Sequence, residues 1–157
     1  MADILYVVLI SMLPVIELRG AIPIGIELLK MDVGVCVAAA IIGNLLPVPF
    51  IILFGGRILR YFAGLERLGK PFRWILSLGE RKVAKMHRVL FWGLLAFVAI
   101  PLPGTGAWTG CLVAITLNLS LKRSIIPIIL GVLIAAVIVT LFTIGIIGGA
   151  FFSFLFG

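Results

Sequence analysis

Apolar residues dominate the chain in runs of unequal length, and the positions that interrupt them set the elements. Met1 to Leu13 is thirteen residues of mostly apolar sequence, roughly 20 Å as a helix and short of the ~30 Å hydrocarbon core of a bilayer. Pro14 ends that run, and Glu17, Arg19 and Gly20 follow. A second short arm with Pro23 inside it runs from Ala21 to Leu29 and stops at Lys30 and Asp32. This predicts a re-entrant helical hairpin over 3–29, although one kinked span from Asp3 to Leu29 is also long enough. Residues 33–56 read as a transmembrane helix, kinked around Gly43, Asn44, Pro47 and Pro49, because proline removes a backbone donor and frees carbonyls. The pattern then recurs. Val89 to Ile100 is a short arm, Pro101 to Gly106, with Pro103 and Gly104, is a break, and Ala107 to Leu117 is a second arm. The prediction is a second hairpin over 89–117, a second transmembrane helix over 124–147, and a phenylalanine-rich interfacial tail over 148–157.

Composition fixes the class. A chain of 157 residues with 63% hydrophobic and 12% charged residues, and a mean hydropathy of +1.34, is an integral membrane protein and not a soluble globule. The first apolar run carries Asp3 where a signal peptide has basic residues, and no small-residue cleavage site follows, so it reads as part of the fold. Cys36 and Cys111 stand singly in apolar sequence, away from the lone His87. They read as packing residues, with no metal or cofactor implied.

The net charge of +7 is concentrated: nine Lys and Arg lie from Arg57 to Arg88, against Glu66 and Glu80. By the positive-inside rule, 57–88 is a basic cytoplasmic or amphipathic connector resting on anionic lipid headgroups, and nucleic acid is not the expected partner. Lys122 and Arg123 mark a second cytoplasmic boundary, so the two spanning helices run in opposite directions. A shift of about 86 residues lays Gly20-Ala21 over Gly106-Ala107 and brings Pro14 near Pro101. The expected fold is one all-α membrane domain of two inverted repeats, 1–56 and 89–147. Each is a re-entrant hairpin followed by a transmembrane helix, with the two breaks meeting near the midplane as in many secondary transporters.

Ionisable residues and broken helices at membrane depth are costly and usually line a cavity or substrate path. A carboxyl in a partly dehydrated site has its charged form disfavoured, so Glu17 suits loading and release of a proton unless Arg19 compensates it. In an unwound break the two side chains share a side, and the planar guanidinium of Arg19 suits a phosphate. A structural ion pair that staples the hairpin is the alternative, and an interfacial loop a third. In the second motif Gly104 and Gly106 allow close backbone approach, Thr105 adds a hydroxyl, and a helix starting near Gly106 would aim free N–H groups at an anion. Asn44 reads either as a polar cavity wall or as part of a packed kink. The small residues Gly34, Ala38, Ala39, Ala40 and Gly43 offer a close-packing face, within the protomer or in a homodimer.

PVIELRGAIPIGI near the start, GNLLPVPFIILFG at 43–55 and FVAIPLPGTGAWTGCLVAI at 97–115 resemble the small multidrug export protein family, related to the DedA and VTT superfamily of membrane proteins. The resemblance covers nearly the whole chain. It implies two opposed re-entrant hairpins in the cytoplasmic membrane and transport or lipid-scrambling activity. In DedA relatives, acidic and arginine residues at the hairpin tips are implicated in proton-coupled movement of undecaprenyl phosphate. Glu17 and Arg19 match the first such motif, whereas the second hairpin carries neither residue type. The expected function is therefore proton-coupled movement of a lipid-phosphate or other amphipathic substrate. Export of small lipophilic cations and a passive, holin-like pore are the alternatives, and no HExxH, GxSG or multi-Asp pattern marks an enzyme.

Overall fold

The computed structural model describes residues 1–63, 87–102, 104–117 and 119–146, without the side chains of 59, 60, 62, 63, 87, 88 and 146. The expectations for most of the basic connector, for Pro103 and for the phenylalanine tail lie outside the described residues. Every regular element among the described residues is helical. In chain order they are α1 (Ala2–Ser11), α2 (Glu17–Pro23) with a π-helical turn (Ile24–Leu28), α3 (Val33–Leu45) and α4 (Val48–Ala63). They continue with α5 (His87–Ala99), α6 (Ala107–Thr116) and α7 (Leu121–Leu141) with a second π-helical turn (Phe142–Ile146).

Local chemistry sets most of these boundaries. Pro14 stops α1, since the residue before a proline disfavours the helical region, and the Met12 N–H is left shared between the carbonyls of Val8 and Leu9, both at 3.2 Å. Pro23 closes α2 without ending the helical path, which loosens into the π turn. Lys30 then takes a left-handed conformation (φ 53), and the Met31 N–H returns to the Gly25 carbonyl at 3.0 Å. Asp32 caps α3, its carboxylate accepting from the Val35 N–H at 3.1 Å.

Two runs are long and apolar enough to cross a membrane, Val33–Ile58 through the α3–α4 joint and Leu121–Gly145. Only 39% of each apolar window is buried within the protein, so most of it faces outward, as lipid favours and water does not. The first run passes the expected limit of 56 by two residues and keeps Arg57 on its end, the guanidinium lying 5.9 Å from the Phe54 ring centroid. The second starts at Leu121 and not at 124, because the Ser120 carbonyl accepts from the N–H groups of Arg123 and Ser124 and so takes Lys122 and Arg123 into the first turn.

The chain divides into two compact units, Met1–Leu46 with the chain from Val132 onward, and Pro47–Gly131. In the first, α1, α2 and α3 pack against one another around Val7, Leu18, Ile22, Cys36 and Ala40. Gly43 is needed there, since a Cβ would run into the Ser11 hydroxyl and the Val8 carbonyl. In the second, α6 packs on α4 and α5. Gly110 admits Val98, whose Cγ2 would lie 2.6 Å from a Cβ at that position.

Candidate functional site

Of the four polar or charged residues buried among those described, three belong to the first unit: Ser11, Glu17 and Asn44. Glu17 opens α2 and is only 4% exposed. Its backbone is left-handed, with φ 50, a conformation that costs a residue with a Cβ about 1–2 kcal/mol. The surroundings hold it there. Its N–H donates to the Leu13 carbonyl at 3.0 Å, the Gly20 N–H donates to Ile16 at 3.0 Å, and Gly20 sits so close beneath Ile16 that a Cβ would lie 2.7 Å from the Ile16 Cγ2. Strain of this kind, concentrated on a buried carboxyl, is typical of functional positions.

Glu17 and Arg19 thus fall on the first turn of α2 and not in the unwound stretch, which is confined to residues 12–16 and contains Pro14. Arg19 is half-buried, and Glu17 is the charged group acting on its guanidinium.

Asn44 lies near the end of α3, 1% exposed, and neither its Oδ1 nor its Nδ2 has a hydrogen-bond partner. Leaving such a group unmet costs about 1–3 kcal/mol per atom, so its retention in an apolar helix calls for a reason. Next to it, the Gly43 carbonyl cannot take the regular helical bond because residue 47 is proline. Ser11, 0% exposed, donates its hydroxyl to the Val8 carbonyl at 2.8 Å beside Gly43. Sequence reasoning missed Ser11. The available signal was that it is the only serine or threonine before Lys30, placed just ahead of the break.

The second motif belongs to the other unit. Gly104 (φ 80) and Gly106 (φ 134) both take conformations that favour glycine, and a Cβ on Gly104 would meet nothing within 4 Å. Pro101 lies in the break, and Gly106 caps α6 with no side chain to contribute. Thr105 serves the loop itself. Its hydroxyl is 2.7 Å from the Ile100 carbonyl and 2.9 Å from that of Leu102, to either of which it donates, and it accepts from the Leu102 N–H at 3.3 Å. In the same unit, a cavity of about 250 Å³ has apolar walls (Leu90, Phe91, Leu119, Ile126) and is also lined by Lys122 and Arg123.

With only helices among the described residues, two of them of membrane length and mostly facing outward, the chain is an integral membrane protein, and one of its units holds the buried Glu17 carboxyl two residues from a half-buried arginine. Its family follows from residues 17–138, which match the family model described as "Putative small multi-drug export protein". The chain belongs to that family. No curated protein and no solved structure matches it.

Proposed function

We propose that the protein is a secondary transporter, not an enzyme, that couples proton movement to translocation of an amphipathic or lipid-phosphate substrate across the cytoplasmic membrane. The observation that carries this reading is Glu17, a residue 4% exposed on a left-handed backbone with Arg19 as its charged neighbour. In this reading Glu17 carries the proton, Arg19 takes an anionic substrate group and Asn44 supplies a polar contact; in the other unit, by itself, the Gly104–Gly106 loop is a place where backbone can come close to a ligand. Thr105 then orders the loop and acts on substrate only through it.

Short arms support re-entrant hairpins: α1 and α6 have ten residues each, about 15 Å of helix, half a bilayer core. The DedA-like, topologically inverted arrangement is supported by basic residues at 57–88 and at Lys122 and Arg123, and the cavity lined by that pair suits an anionic lipid headgroup. Gly34 and Ala38 are exposed on α3, whereas Ala39, Ala40 and Gly43 are buried, so only the former pair is left for a homodimer. The family's description favours small-molecule drugs as the competing substrate class.

Purified protein in liposomes decides between them. A polyprenyl phosphate and a lipophilic cation are compared for wild type and Arg19→Lys. Movement of the phosphate lipid, at least tenfold slower in Arg19→Lys, supports the anion reading, because lysine lacks the planar fork. Selective cation export indifferent to Arg19 supports drug export.

A further inference from the structure

The unmet hydrogen-bonding groups of Asn44 specify what meets them. A carboxamide donates through Nδ2 and accepts through Oδ1, and both atoms are buried without a partner. A carboxylate can only accept, whereas a carboxylic acid has one O–H donor and one acceptor oxygen side by side. The protonated acid therefore matches the amide face to face, with its O–H donating to Oδ1 and Nδ2–H donating to its carbonyl.

Helix register places such an acid at the right level. The Cys36 thiol donates to the Ile22 carbonyl at 3.6 Å, and Gly25 lies against Cys36 Sγ, so α3 runs back along the segment that precedes it. Glu17 lies eight residues before Gly25, and Asn44 lies eight after Cys36. At about 1.5 Å per residue both are roughly 12 Å from that contact in the same direction, in a unit where both side chains are buried. We propose that Asn44 receives the Glu17 side chain in its protonated form, the carboxyl exchanging Arg19 for Asn44 when it takes up a proton. The step takes one proton from hydronium in the aqueous phase, forming the carboxyl O–H and releasing water, and alters no other covalent bond.

The titratable groups on the elements packed against α2 leave this exchange to Arg19 and Asn44. On α1, Asp3 and Tyr6 are exposed, as is Asp32 at the cap of α3. Cys36 spends its thiol on Ile22. Glu27, in the π turn, lies ten residues beyond Glu17 along the same path.

The proposal rests on Glu17 being the proton carrier, and the experiment separates the two. Infrared difference spectra between alkaline and acidic buffer are recorded for wild type, Glu17→Gln and Asn44→Leu. In wild type we expect a carboxylic-acid carbonyl band that Glu17→Gln abolishes and Asn44→Leu shifts to higher frequency. Should Asn44→Leu misfold, the side-chain amide nitrogen resonance of Asn44 gives the same answer in folded protein, moving on acidification in wild type and staying still in Glu17→Gln. A Glu17 band unmoved in Asn44→Leu, or an amide resonance indifferent to acid while the band appears, overturns the exchange and leaves the proton-carrier reading standing. Absence of any Glu17 acid band overturns both.

Discussion

Replacing Gly43 with alanine tests the packing that brings α1 and α3 together beside the polar residues. A Cβ there would meet the Ser11 hydroxyl and the Val8 carbonyl, and would lie 2.9 Å from the Val8 carbonyl carbon. Two of those three neighbours are backbone and cannot rotate away. Overpacking costs about 1–3 kcal/mol, and the rigid neighbours put this site at the upper end, about 3 kcal/mol. Alanine in a helix returns about 1 kcal/mol of intrinsic preference. The net loss is then about 2 kcal/mol, or 4–8 °C in melting temperature for a chain of this size. Cys36 and Cys111 are buried thiols outside any disulfide, so a thiol-reactive dye that fluoresces on unfolding reads the melt in detergent. Gly93→Ala is the control, because a Cβ there meets nothing within 4 Å; it should melt at or slightly above wild type. A Gly43→Ala protein as stable as Gly93→Ala would refute the close approach of α1 to α3.

Three further outcomes follow from the local geometry. Asp32→Ala removes the α3 cap and should cost about 1 kcal/mol in the same melt, with Asp32→Ser recovering most of it. Thr105→Val removes the hydroxyl that binds the loop carbonyls of Ile100 and Leu102 and should cost about 1 kcal/mol. Thr105→Ser keeps that oxygen and should match wild type in both melting and transport, which a substrate role for the Thr105 methyl would contradict. Gly104→Ala is expected to lower stability by about 1 kcal/mol through its left-handed backbone alone, since no neighbour lies within 4 Å of the added methyl.

The membrane-length helices were legible in the sequence because lipid imposes uniform composition on whatever it surrounds, and Val33–Ile58 and Leu121–Gly145 need no tertiary information to be seen. The short arms were legible for a different reason: Pro14 and Pro101 interrupt apolar runs too short to span. What the pattern did not contain was the state of the backbone at the interruption. Glu17 looked like a residue of an unwound stretch, and it proves to open a helix from a left-handed position. Likewise, Pro23 reads as a breaker, yet its fixed φ is compatible with the helical path that continues into the π turn. Asn44 was visible as a polar residue in an apolar run. Its lack of partners is a property of three helices packed together and has no sequence signature.

The most direct test of the account is transport by wild type and Glu17→Gln in liposomes, each with and without an imposed pH gradient. Proton carriage by Glu17 requires substrate movement that follows the gradient in wild type and is lost in Glu17→Gln, a variant that keeps the shape of the side chain and removes its titratable proton. Equal transport by the two proteins, indifferent to the gradient, would contradict it and leave a passive pore.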